Sequence, residues 1–203
     1  RGVADRAPQL SPDGTAVAFV RADAKKRPQL HVVAATGGEA VQVTEQPLGI
    51  SEFAWSPDST SVVYTSRIAE PGRYGTVEGL DASAEAPRHI TGIRWHANGL
   101  GYSGDRPAHV FTVPVPDLNA EPLYTAAPAV REEGESAPEV SLVPAASTRL
   151  TAGDASHAGV VFSADGTEVF AALDEIEDRH RDLRTRVIAI AVDGGATREV
   201  LGV

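Results

Sequence analysis

The sequence predicts an all-β fold, a partial β-propeller of about four blades, each a four-stranded antiparallel sheet. Three observations carry this. One strand-turn-strand pattern recurs four times, a second hairpin follows it in three of the four units, and the spacing lies near the 40 to 45 residues of a propeller blade. The turns start at Ser11, Ser56, His96 and Ser163, so the intervals are 45, 40 and 67 residues. The last is one repeat plus an insertion.

The pattern is clearest from Phe53 to Tyr64. Phe53 and Trp55 are two apart and share a strand face. Ser56-Pro57-Asp58-Ser59 is turn chemistry: proline presets φ, and the Asp side chain accepts backbone N–H groups two residues on. Val62, Val63 and Tyr64 carry the chain back as a buried strand. Ser11-Pro12-Asp13-Gly14, His96-Ala97-Asn98-Gly99 and Ser163-Ala164-Asp165-Gly166 occupy the same place in the other units.

In the first unit, 29–33 and 41–44 flank Thr36-Gly37-Gly38. In the last, 187–192 and 197–201 flank Asp193-Gly194-Gly195. Glycine supplies the positive φ such hairpins need. In the third unit, 109–113 is the expected third strand and 148–151 the fourth. The second unit departs from the rule: 65–87 holds no clear third strand, and 88–91 reads as a fourth. The expected blades are therefore 7–46, 50–91, 92–151 and 158–203. The third carries a Pro-, Ala- and Glu-rich insertion at 119–147, within which 140–143 fits a short edge strand. The charged stretch 174–186 reads as a solvated loop between strands, with a partner-binding loop or a short helix as alternatives.

A chain of 203 residues can bury a core. It has no cysteine, which excludes disulfides and thiolate chemistry and favours a cytoplasmic setting. The net charge of −10 disfavours nucleic acid or an anionic lipid surface as partner. No run approaches the roughly 18 apolar residues of a membrane helix, and 1–9 has no apolar signal core.

Catalytic motifs are sparse. Gly101-Tyr102-Ser103-Gly104 falls one place short of a nucleophile elbow. The six histidines form neither His-x-His nor His-Glu-x-x-His, so no metal site is expected. Asp13, Asp58, Asn98 and Asp165 fit turn caps better than calcium ligands, having no second carboxylate at fixed spacing. Phosphate-loop and dinucleotide patterns are absent, and no cofactor is expected. Phe53, Trp55, Ile93, Trp95 and Phe162 are expected in the core between blades rather than on a stacking platform.

In a blade that zigzags, connections between strands two and three, and between blades, share one face. The segments 21–28, 66–87 and 172–185 fall there, whereas the tight turns fall on the other. Loops on a rigid scaffold carry binding, so the first is the expected working face. On it, Arg67, Arg73 and Tyr74 are the candidate substrate-binding residues, because a guanidinium holds a carboxylate bidentately.

The Ser-Pro-Asp-Gly turn, the run Leu30-His31-Val32-Val33 with its Gly37-Gly38-Glu39-Ala40-Val41-Gln42-Val43-Thr44 ending, and the strings 70–75, 87–91, 182–185 and 192–195 resemble the N-terminal propeller of the prolyl oligopeptidase family. The acylaminoacyl-peptidase and dipeptidyl-peptidase branch is most similar. The resemblance covers the chain except 119–147. It implies a serine peptidase whose catalytic Ser, Asp and His lie in a following α/β-hydrolase domain, so no catalytic residue is carried onto this chain. That domain and the peptide substrate are the implied partners. The propeller would restrict access to the active site and help bind peptide. A family propeller has about seven blades, so the chain is expected to be an inactive fragment with open blade edges that self-associate. The repeat is shared with Tol-system propellers, which leaves a stand-alone protein-interaction propeller as the alternative.

Overall fold

A computed structural model describes residues 4–77, 79–120, 143–174 and 181–202. Fourteen strands are present among them, with one turn of 3-10 helix at Ala82–Ala84. β1 (Arg6–Leu10), β2 (Ala16–Ala22), β3 (Pro28–Ala34) and β4 (Val41–Gln42) form one antiparallel sheet in sequence order. β11 (His157–Phe162), β12 (Glu168–Leu173), β13 (Arg186–Ala191) and β14 (Thr197–Leu201) form another.

The sheet between them is assembled from two separated parts of the chain. β5 (Ile50–Trp55) and β6 (Ser61–Arg67) are joined by β9 (Ala108–Pro114) and β10 (Thr148–Arg149), in the order β10-β9-β6-β5. A fourth sheet is a two-stranded hairpin of β7 (His96–Ala97) and β8 (Gly101–Tyr102). The all-β, open propeller architecture is as expected, with four antiparallel sheets, three of them four-stranded. The assignment of strands to the middle two units needs correction. The third and fourth strands expected in 92–151 complete the second blade, and the third repeat is a hairpin within that blade's long 68–107 connection.

The physical reason lies in strand composition. Leu100-Gly101-Tyr102-Ser103-Gly104 contains two glycines and no β-branched residue, so it propagates a buried strand poorly. Val110, Phe111 and Val113 instead offer apolar side chains to both faces. They pair with β6 in unbroken register from Ser61↔Pro114 to Arg67↔Ala108. Two further expectations are corrected with it. Residues 88–91 form no strand. Ile93 and Trp95 are solvent-exposed rather than core, because the hairpin lies outside the blade stack. The edge strand proposed at 140–143 lies almost wholly outside the described residues, as does the middle of the 174–186 stretch.

Three turns share one hydrogen-bonding scheme. The Ser11 hydroxyl donates to Asp13 Oδ1 at 2.6 Å, Asp13 Oδ1 accepts the Thr15 N–H at 3.0 Å, and Ser11 Oγ accepts the Ala16 N–H at 2.9 Å. Ser56 and Asp58 repeat it with Thr60 and Ser61, as do Ser163 and Asp165 with Thr167 and Glu168. The fourth turn residue is left-handed in each, Gly14, Ser59 and Gly166, and closes the hairpin. Oδ1 of each aspartate thus accepts from both sides of its turn, as the capping reading requires.

Two apolar layers hold the blades together. The first and second blades enclose Ala18, Leu30, Val32, Phe53, Trp55, Val62, Tyr64 and Phe111. The second and third four-stranded blades enclose Val63, Val110, Phe162, Val169, Ile188 and Ile190. β6 is buried on both faces, which is why 62–64 reads as a continuous apolar run rather than an alternating one. Tyr64 stacks on Phe111 at 5.3 Å. Polar ties cross the layers: Trp55 Nε1 donates to Gln9 O at 3.2 Å, and Glu52 Oε1 accepts the Gly159 N–H at 2.8 Å.

Candidate functional site

The 68–107 connection leaves β6 and returns to β9 on the expected working face. Its base is an extension of the ladder. The Ile68 N–H donates to Pro107 O at 3.0 Å, and the Glu70 N–H to Asp105 O at 2.9 Å. Beyond this base no long strand pairs among the described residues, and a buried charge cluster organises the segment instead.

Asp105, 3% exposed, is at its centre. One oxygen accepts the Tyr74 hydroxyl at 2.6 Å. The other accepts Arg88 Nε at 2.8 Å and pairs with Arg73 Nε at 3.2 Å. Glu85 supports the same groups. It accepts the Tyr74 N–H at 2.8 Å and Arg88 Nη2 at 3.2 Å, and lies 3.9 Å from Arg73 Nη1. Arg73 also donates to Ala86 O at 2.8 Å. The Arg106 guanidinium lies 4.1 Å from the Tyr74 ring centre, and Arg88 lies 5.3 Å from the rings of Tyr74 and Tyr102. Burial, then the Asp105 bond, raises the Tyr74 pKa, and the Asp105 bond raises that of Arg88.

Arg73 and Tyr74, two of the three sequence candidates, thus lie inside this brace. Tyr74 adopts φ +56°, a strained setting for a bulky residue, held by its bonds to Glu85 and Asp105. Arg73 is buried with three carboxylates around it.

Arg67 is placed differently. It ends β6, is half-buried, and donates from Nη1 to Arg106 O at 2.9 Å. It opens onto a cleft of about 250 Å³ between the β7–β8 hairpin and the junction of the second and third blades. Arg94, His96, Ser103, Asp154 and Asp174 also line it. Burial, and next the Arg106 charge, lower the Arg67 pKa, while Asp174 opposes them. Asp174 Oδ1 accepts the Ser156 N–H at 2.7 Å, which fixes that wall.

A neighbouring cleft of similar volume is lined by Glu70, Asp105, His109 and Arg149. Arg149 Nη2 donates to His109 Nε2 at 3.0 Å, which leaves the proton on Nδ1, 3.2 Å from Thr151 Oγ1. Burial, then the charges of Arg149 and His157, push the His109 pKa down to about 4. His109 is therefore a neutral, satisfied histidine of the interblade layer. His31 is likewise buried, stacked on Phe19. Ser103 has no histidine or carboxylate partner among the described residues; its backbone N–H closes the small hairpin on Trp95 O.

No protein-family model matches the sequence. Over 108 residues the chain is 30% identical to an uncharacterized peptidase, YuxL, of Bacillus subtilis; the match covers 53% of this chain and 16% of that protein. Among solved structures, the acylaminoacyl peptidase of Pyrococcus horikoshii superposes with a TM-score of 0.58 at 14% identity, over 98% of this chain and 25% of that one. A TolB protein from Agrobacterium tumefaciens gives 0.53 at 15% identity, over 96% and 45%. The chain is an open propeller similar to those of the prolyl oligopeptidase type. It spans about a sixth of the peptidase relative and a quarter of the acylaminoacyl peptidase. At these identities the solved structures establish its fold alone.

Asp105, Glu85 and Arg88 escaped the sequence reading, as did Asp174. The visible signal for the first three was the density of acids and arginines within 70–106, and Asp174 opens the charged stretch 174–186. Nothing in that density told which acid would be buried.

Proposed function

We propose that the chain is the non-catalytic propeller portion of a serine peptidase, limiting access to an active site on an accompanying α/β-hydrolase domain and helping to hold the peptide. The observation that carries this is the 30% identity with a peptidase over 108 residues. The architecture supports it. Stacked blades make a rigid frame, and the working face carries a braced excursion beside a polar cleft. In this reading Arg67 contacts peptide directly, whereas Arg73 and Tyr74 hold the excursion in place. The cysteine-free composition supports a cytoplasmic setting.

The test is to express the complete reading frame and assay it with acetylated and unblocked peptide anilides. Hydrolysis blocked by a serine-directed fluorophosphonate is expected, with none from the 203-residue chain alone. The preference between the two substrates separates acylaminoacyl from dipeptidyl specificity. A complete protein that hydrolyses neither overturns the proposal. The second reading, a protein-interaction propeller, is favoured by the TolB superposition, in which this chain covers 45% of the other. It predicts stable capture of a protein partner and no peptide hydrolysis.

A further inference from the structure

We infer that the cleft between the β7–β8 hairpin and the second and third blades is a receptor for a carboxylate at a peptide's C-terminus, with Arg67 as its anchor. Arg67 is a half-buried guanidinium, and no carboxylate among the described residues pairs with it within 4 Å. Its hydrogen-bond partner there is a backbone carbonyl, Arg106 O. This contrasts with Arg73 and Arg88 in the excursion that follows, which are held by Glu85 and Asp105. The acid facing Arg67 is Asp174, felt through space and already bound at Oδ1 to the Ser156 N–H.

A guanidinium offers five donors in a fixed plane, and a carboxylate accepts two of them side by side. With one Arg67 N–H directed at Arg106 O, the fork keeps donors for an incoming anion. The Arg106 charge nearby adds to the attraction for a negative ligand. The size of the space selects which anion. At about 250 Å³ it falls below the roughly 300–1,000 Å³ typical of sites for larger small molecules. A chain end fits better than an extended segment. Ala97 and Leu100 give an apolar patch for the terminal side chain, and Ser103 can hydrogen-bond the last peptide group. The Asp154 and Asp174 carboxylates disfavour a diffuse polyanion such as nucleic acid.

The inference specifies the ligand end within the peptide-binding reading above, but its test needs no catalysis. The 203-residue chain is titrated calorimetrically with N-acetyl-Gly-Phe as the free acid and as the C-terminal amide. The free acid should bind at least tenfold more tightly, and added salt should weaken it. Amide resonances of Ala97, Leu100 and Ser103 should shift with the free acid. R67Q should abolish the preference for acid over amide, and R67K should keep part of it, because an ammonium lacks the planar fork. Equal binding of the two ligands, no saturable binding of the acid, or an unchanged preference in R67Q would each overturn the inference. Hydrolysis by the complete protein reads the peptidase proposal separately: a peptidase without this preference loses only the receptor.

Discussion

A serine hydroxyl and an aspartate two residues later close three of the hairpins. Ser56 is buried and bonded both to Asp58 and to the Ser61 N–H. Ser56→Ala should therefore cost about 1–2 kcal/mol, measured by urea unfolding. The same turns set the acid limit of stability. Bonds from Ser11 and then the Thr15 N–H lower Asp13 to about 2, the equivalent groups lower Asp165 to about 2, and bonds from Ser56 and then the Thr60 N–H also lower Asp58. Folding thus favours the ionised form. That contribution is fully present above the unfolded value of about 4 and is lost as pH falls toward 2. His109 acts in a higher window. Its folded pKa of about 4 lies below the unfolded value of about 6.5, so its contribution is complete above that value and is lost as pH falls from about 6.5 to 4. Burial lowers the His31 pKa as well, so stability measured against pH should decline in two stages, and His109→Gln should reduce the upper one without removing it and leave the lower one unchanged.

At the level of elements, the second blade illustrates how pairing strength outweighs order in the chain. β9 finds β6 across the 68–107 excursion because two apolar faces are buried by doing so. The excursion contributes little to either core layer; Ile68, at its base, packs against the first. Replacing 69–106 with Asn-Gly should remove the short β7–β8 hairpin and the Arg67 cleft while leaving the circular dichroism signal of the three four-stranded sheets intact. The brace within the excursion depends on Asp105. Asp105→Ala would take from Arg73 and Arg88 the more buried of their two shared carboxylates, leaving Glu85, at a cost of up to about 3–5 kcal/mol to the segment. The expected readout is limited proteolysis within 68–107 at protease levels that leave the parent chain uncut. A resistant variant would mean that Glu70 and Glu85 hold the arginines by themselves.

For the whole molecule, the repeat tells which faces want a neighbour. The residue four places after the turn aspartate faces the preceding blade, as Val62 and Val169 do; the residue five places after faces the next, as Ala18 and Val63 do. By the same rule Val17 and Phe170 face outward at the two ends of the arc. Their cross-strand partners Leu10 and Val161 are 60% and 51% exposed. Such apolar faces favour association with whatever can continue the stack. The chain by itself should self-associate in light scattering, and Leu10→Lys with Val161→Lys should reduce this. A clean monomer at high concentration would count against open end faces.

The strand-turn chemistry of Ser11, Ser56 and Ser163 and the apolar runs after them were sufficient to read an all-β propeller, because each hairpin is determined by interactions within about ten residues. The repeat itself is shared with Tol-system propellers, and the strings 70–75, 87–91, 182–185 and 192–195 added the resemblance to peptidases. Blade membership was another matter. His96 to Gly99 matched the repeat in residue type, yet its flanking segment lacked the two apolar faces needed to compete for β6. That competition is decided across some forty residues and leaves no local mark. The site followed the same division. Arg67, Arg73 and Tyr74 were legible as cations and an aromatic on the loop-bearing face. Only the tertiary structure separated them, because whether an arginine is available depends on which carboxylates fold against it: Asp105 and Glu85 enclose Arg73, while Arg67 is left at the mouth of a cleft.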